Sequence, residues 1–186
     1  MDVITKKQLF ESSNLFLNKL KKGSLFIYPT DTIYGIGCDA TNESSVELVR
    51  MIKERFETPF SVIVPSKEWI LRNCEVDQKF LDLLPGPVTL IVKLKDDSSI
   101  APSVVKGLKT LGVRLPDHWV SDFVRDFGKP VVTTSVNKHG LSFMNCLEEM
   151  DLDLKGDVDF FVDEGLVHGR PSKIIDTLTN DVIERD

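Results

Sequence analysis

Two cations separated by one residue, Lys53 and Arg55, stand where a helix with one apolar side, starting near Asn42, runs out. On a continuing helix residues i and i+2 point apart. If Arg55 lies just past the last turn, both heads can turn toward one polyanion, a point charge beside a planar fork, which suits a triphosphate. Cations at a helix C-terminus can equally just complement the dipole and face water. Arg114 sits in the apolar run Leu111-Gly-Val-Arg-Leu-Pro116. Arginine is rarely free in a core, so it either pairs with a carboxylate or faces a pocket and holds an anion there. Thr133, Ser135 and Asn137 follow Val131-Val132 and share one face of an extended chain. That row could hydrogen-bond a ligand, or it could be a polar turn closed by Asn137 to Gly140. Ser172, between Gly169-Arg-Pro171 and Lys173-Ile-Ile-Asp176, carries no signal of its own.

Other chemistries find less support. His118, His139 and His168 have no ligand spacing with one another or with the cysteines, so a protein-built metal site is not expected. No GxSxG elbow or Ser-His-Asp order is present, which argues against a covalent hydrolase. Gly35-x-Gly37-x-x-Ala40 formally fits the dinucleotide fingerprint, but there a helix opens within the glycines. Here the capping residue comes later, at Asn42, and a sharp bend is the favoured reading of the glycines.

The elements that must carry these residues are legible in outline. Leu25 to Tyr28 reads as a buried strand ended by Pro29, followed by Thr30, Asp31 and Thr32. A core strand that stops in hydroxyls and glycines is how an open α/β sheet builds a pocket. Helical spacing predicts a helix over Thr5 to Lys21, a second from Asn42 to about Lys53–Phe56, a third over Trp69 to Leu84 and a fourth over Pro116 to Phe127. Strands are expected at 60–64, 88–94, 111–115 and 131–134. Asp96 to Lys109 reads as a loop with one short helix, and His139 to Gly156 as irregular with another. Three short strands close the chain at 159–162, 173–178 and 181–185, the last two a hairpin over Thr179-Asn180. This mixture predicts one α/β domain over residues 1–186 with a mixed, twisted sheet.

Bulk composition sets outer bounds. The chain has 186 residues, 41% apolar and 28% charged, enough for a core in an ordinary soluble globule. A net charge of −6, from 23 basic and 29 acidic residues, argues against bulk phosphate binding and leaves at most a weak RNA affinity. No apolar run approaches membrane-spanning length, and MDVITKKQLF has no signal-like h-region, so no membrane partner is expected. Cys38, Cys74 and Cys146 are far apart and odd in number, which predicts reduced thiols and a cytoplasmic location.

Six segments in order resemble the YrdC-like family, the threonylcarbamoyl-AMP synthases. They are PTDTIYGIG (Pro29 to Gly37), the KxR of Lys53-Glu-Arg55, PGPVT (Pro85 to Thr89), GVRLP (Gly112 to Pro116), the SxN of Ser135-Val-Asn137, and PSKIID (Pro171 to Asp176). The resemblance implies a twisted, largely mixed or antiparallel sheet flanked by helices around a large concave cavity lined with positive charge. It implies a nucleotidyltransferase that makes threonylcarbamoyl-adenylate and pyrophosphate from L-threonine, bicarbonate and ATP. Mg²⁺ would be carried on the phosphates. A separate transferase would then pass the group to tRNA. Thr30 and Ser172 would hold the threonine, with Thr133 lining its pocket. Arg114 would hold the carboxylate or carbamate. Lys53, Arg55, Ser135 and Asn137 would hold ATP phosphates, and Arg185, in the closing Val-Ile-Glu-Arg185, would be a further nucleotide contact. The chain resembles the minimal single-domain form.

Three residues depart from the family pattern: Phe56 for a proline, Thr58 for a longer polar residue, and Lys173 for a threonine. They leave open the same chemistry on another amine. A relative that binds nucleotide or double-stranded RNA without turnover is the remaining alternative.

Overall fold

The computed structural model describes residues 1–137, 142–151 and 154–185. Among them run eleven strands: β1 (Asp2–Thr5), β2 (Phe26–Tyr28), β3 (Gly35–Gly37), β4 (Ser61–Ile63), β5 (Cys74–Glu75), β6 (Val88–Leu94), β7 (Thr110–Arg114), β8 (Val131–Ser135), β9 (Phe160–Asp163), β10 (Lys173–Asp176) and β11 (Val182–Ile183). The helices are α1 (Lys6–Glu11), α2 (Ser13–Lys21), α3 (Glu43–Lys53), α4 (Lys67–Asn73), α5 (Gln78–Leu81), α6 (Pro102–Val105), α7 (Val120–Phe127) and α8 (Leu154–Asp157). The strands form one mixed sheet in the order β1-β9-β2-β3-β8-β4-β7-β6-β10-β11, with β5 paired to β6. The expected α/β architecture with a mixed, helix-flanked sheet is therefore what forms.

Helices pack on both faces of the sheet, so where they cover it the strands read as continuous apolar runs rather than alternating ones. Phe26 and Tyr28, Ile63, Val131, Phe160 and Val162 pack with Leu9, Phe16, Leu20, Phe123 and Phe127 of α1, α2 and α7. Their strand neighbours Ile27, Val62, Val132 and Phe161 turn the other way, onto Val46 and Val49 of α3 and residues of α4 to α6. The period-2 alternation of side chains divides one apolar run between two cores.

On the α1/α2/α7 side the helices cover only part of the sheet. Across the rest, register aligns Gly35 with Ser135, Ser61 with both Thr133 and Gly112, Gly112 with Ile91, and Thr89 with Ile174. These residues share the face that carries Tyr28 and Ile63 further along, yet most are small. Large side chains fill the floor where a helix sits on it, and Gly, Ser and Thr take over where none does. The result is a cavity.

Several elements differ from the expectations. The first helix breaks at Ser12, whose amide bonds to Gln8 and Phe10 carbonyls, and Thr5 opens it with a reciprocal capping box to Gln8. Gly35 and Gly37 are not a bend but strand β3, paired on both sides. A Cβ on Gly37 would lie 2.0 Å from the Val132 carbonyl oxygen, so glycine is there for close approach. The helix expected over Trp69 to Leu84 is interrupted because Cys74 and Glu75 pair with Leu94 and Lys93. The helix expected from Pro116 begins only at Val120. Asn42 caps α3 as expected, accepting from the Ser45 amide at 3.2 Å. The closing hairpin forms, with Asn180 in the left-handed region at φ 65°. His139, within the stretch expected to be irregular, lies outside the described residues.

Candidate active site

The cavity has a volume of about 530 Å³ and is walled by segments from the whole length of the chain. That is within the roughly 300–1,000 Å³ of small-molecule pockets. Of the residues singled out by sequence, Thr30, Arg55, Arg114, Thr133, Ser135, Asn137, Ser172 and Arg185 all line it. Lys53 does not. It sits behind the wall, 3% exposed, with its ammonium 2.5 Å from the Ser135 carbonyl and 2.7 Å from Asn137 Oδ1, and also on the Asn137 carbonyl.

Helix α3 ends at Lys53 because Glu54 turns left-handed at φ 51°. Arg55 is thereby released from the helix, the condition for Lys53 and Arg55 to act on one region. Arg55 Nη2 donates to the Pro59 carbonyl at 3.1 Å and Nε to Thr58 Oγ1. Thr58, a departure from the family pattern, is therefore a support for Arg55. Lys173, the second departure near the site, turns away from the cavity and pairs with Glu184 at 2.6 Å.

Both alternatives open for Arg114 hold at once. It lines the cavity, and its Nη2 donates to Asp31 Oδ1 at 2.8 Å and to Thr32 Oγ1 at 3.2 Å. The pair is almost wholly buried, at 7% and 10% side-chain exposure. Arg114 Nε is buried with no hydrogen-bond partner. Burial of a donor without an acceptor is costly.

Asp31 also accepts from the Asp117 amide at 3.1 Å, so its carboxylate is tied on both sides. Thr30 Oγ1 donates to the Ile33 carbonyl at 2.8 Å and accepts from the Thr32 and Ile33 amides at 3.1 and 3.3 Å. The Thr30 hydroxyl thus shapes its own turn, a local side-chain-to-backbone motif.

On the opposite wall, Ser172 Oγ lies 2.7 Å from Thr89 Oγ1 and accepts from Arg185 Nη2 at 2.6 Å, while Arg185 Nε donates to the Ser172 carbonyl at 2.9 Å. Burial lowers the Arg185 pKa below arginine's ordinary value, and the nearby Arg114 and Arg55 charges lower it further. Guanidinium stays protonated regardless. Three like charges held close around one hollow, with one carboxylate paired to only one of them, make a site for an anion.

Sequence reasoning did not single out Thr32, Tyr34, Thr89 or Phe143 as lining residues, nor Asp31 as partner of Arg114. Asp31 and Thr32 lie in the PTDTIYGIG stretch, and Thr89 closes PGPVT, so the signal was present as motif without a role. Phe143 falls in a segment with no pattern.

A model of the family named Sua5/YciO/YrdC and described as "Telomere recombination" matches residues 18–185. The chain belongs to this family. A threonylcarbamoyl-AMP synthase of Aliivibrio fischeri is 31% identical over 183 residues, covering 92% of this chain and 97% of that protein. Among solved structures of the same fold, E. coli YciO superposes with a TM-score of 0.79 at 22% identity, covering 94% of this chain and 88% of that one. P. abyssi Sua5 complexed with L-threonine gives 0.77 at 24% identity over 87% of this chain, which spans 49% of that longer chain. The Sua5/YciO/YrdC membership expected from six motifs is thus established over most of the sequence.

Lys53 supplies a pH test of the family site. Burial, helped by the Arg55 charge, pulls its pKa from lysine's usual 10.5 to about 7. Between those values the unfolded chain holds a proton that the folded chain has released. Stability therefore climbs as pH rises from about 7 toward 10.5, because unfolding then takes up a proton. The thermal midpoint of the natural chain minus that of Lys53→Met should rise across this window. A flat difference would show that Lys53 is not buried as described.

Proposed function

We propose that the chain is an L-threonylcarbamoyladenylate synthase, a nucleotidyltransferase that uses L-threonine, bicarbonate and ATP. The observation that carries the reading is the convergence of Arg55, Arg114 and Arg185, from three distant segments, on one cavity rimmed with hydroxyls. The relatives' name supports the same reaction.

The threonine amine adds to bicarbonate with loss of water and gives a carbamate. A carbamate oxygen attacks the α-phosphorus of ATP, the bond to the β-phosphate oxygen breaks, and pyrophosphate leaves with the electron pair. Nucleophile and electrophile are both anionic, so rate depends on holding them together and offsetting repulsion. In this reading Arg114, at the cavity wall, holds the amino-acid carboxylate or the carbamate. Thr30 builds the turn beside it, and Ser172 and Thr133 offer hydroxyls to the amino acid. Arg55, Ser135, Asn137 and Arg185 face the nucleotide phosphates, with Lys53 bracing Ser135 and Asn137 from behind.

Among the described residues the lining offers hydroxyls and guanidiniums but no carboxylate, and Asp31, outside it, is tied to Arg114 and the Asp117 amide. A Mg²⁺ ion would therefore be held by the nucleotide's own phosphate oxygens, where it offsets their charge. A separate transferase would take the threonylcarbamoyl group to tRNA, which carries a cytoplasmic location with it. The free thiols of Cys38, Cys74 and Cys146 suit that compartment.

The test is pyrophosphate release by the purified chain with ATP, Mg²⁺, bicarbonate and L-threonine. Release that depends on threonine is the expected result. Nucleotide binding with no release above a threonine-free control, at high protein concentration, would contradict synthesis.

A further inference from the structure

We infer that Arg50 is a positioning residue for the nucleotide, acting through Arg55. Only the identity of what Arg55 binds rests on the synthase reading. Arg50 is wholly buried on α3, three residues before Lys53. Its guanidinium reaches two separate pieces of chain. Nη1 donates to the Arg55 carbonyl at 2.8 Å and the Thr58 carbonyl at 2.9 Å. Nε donates to the Ser103 carbonyl at 2.9 Å, and Nη2 to the same oxygen and to the Val104 carbonyl at 3.4 Å. A guanidinium has five N–H donors, and all five are engaged.

The same turn is otherwise held by the Arg55 amide on the Arg50 carbonyl at 3.0 Å and by the Arg55 side chain. Phe56, Glu57 and Thr58 are exposed. Arg50 grips the carbonyls that bracket them, while its Cζ lies 4.4 Å from the ring centroid of Phe60, a cavity-lining residue. The far anchor is itself fixed. The Ser103 amide donates to Glu43 Oε2 at 3.2 Å, its hydroxyl lies against carboxylate oxygens of Glu43 and Glu47 with one proton to give, and the Phe60 amide donates to the Val104 carbonyl at 2.9 Å.

Within that turn Arg55 spends Nε on Thr58 and Nη2 on Pro59. Nη1 has no partner among the described residues, on a side chain that lines the cavity. The direction of that free edge depends on where the 55–59 backbone lies, and Arg50 sets where it lies. Arg50 hydrogen-bonds carbonyls, with the Glu47, Glu43 and Glu57 charges nearby, and a buried charge so held often brings little stability over an apolar side chain of the same size. Its value is geometric.

The experiment is a double-mutant cycle in the full chain. Arg50→Met, Arg50→Lys, Arg55→Met and the double variants of each Arg50 change with Arg55→Met are compared by calorimetric ATP binding and by the KM values for ATP and L-threonine in pyrophosphate release. Arg50→Met should weaken ATP binding and raise its KM about tenfold, leave the threonine KM unchanged, and add nothing once Arg55 is methionine. Arg50→Lys, which keeps the charge but cannot bridge both sets of carbonyls, should weaken ATP binding in the same non-additive way and decides the matter if Arg50→Met does not fold. Unchanged ATP binding, equal rises in both KM values, or effects that add to Arg55→Met would each overturn the inference while leaving the synthase reading intact. A natural chain that binds no ATP would overturn both.

Discussion

Replacing Arg114 by methionine should lower the free energy of unfolding by about 3–5 kcal/mol and reduce synthesis by about a hundredfold or more. The stability loss comes from Asp31. Its carboxylate is buried and would keep only the Asp117 amide. The activity loss comes from the charge that Arg114 presents at the cavity wall. A companion variant separates the two. In Arg114→Met/Asp31→Leu no unpaired charge remains, so unfolding in denaturant should return most of the stability. Pyrophosphate release should not return with it. Recovery of activity together with stability would show that Arg114 serves only to neutralise Asp31.

Gly169→Ala should cost about a hundredfold in kcat/KM for the amino acid, since a displacement near 1 Å can lose that much. A Cβ at 169 would lie 1.6 Å from the Thr32 carbonyl oxygen, 2.5 Å from its carbon and 2.8 Å from Thr32 Cα. All three are backbone atoms of the turn that Thr30 Oγ1 ties down. Neither side can yield locally, so the segment leading to Pro171 and Ser172 must move off the Thr32 turn. Ser172 would leave the hydroxyl of Thr89 and the fork of Arg185. Gly165→Ala is the control on the same segment. It has open space around it and a φ of 74°, so it should cost about 1 kcal/mol of stability and leave substrate constants alone. Equal kinetic losses in the two variants would mean that the contact with Thr32 does not set the site.

What sequence could and could not say follows from the range of the interactions involved. Local signals were read well. The Asn42 cap, strand β6 and the exit of Arg55 from α3 each depend on a few adjacent residues. Strand β3 was not legible, because two glycines in three residues weaken a strand and only its partners β2 and β8 define it. The interruption between α4 and α5 is likewise a tertiary effect, pairing with Leu94 and Lys93 across the sheet. In the site, motif order located the walls, but the bonding within them needed the fold. Arg114 offered a pair or a ligand on paper, and does both. Lys53 could not be placed behind the wall, since its partners are backbone carbonyls more than eighty residues on. Arg50 sits on the apolar side of α3, and nothing in its spacing announces the carbonyls it collects.

The most direct measurement follows the carbon. The chain is incubated with ¹³C-bicarbonate, L-threonine, ATP and Mg²⁺, and the products are read by mass spectrometry. A cavity that presses an amino-acid carbamate against ATP predicts an adenylate bearing threonine and a single labelled carbon, equimolar with pyrophosphate. ATP bound or cleaved, with no label joined to the nucleotide, would contradict that account.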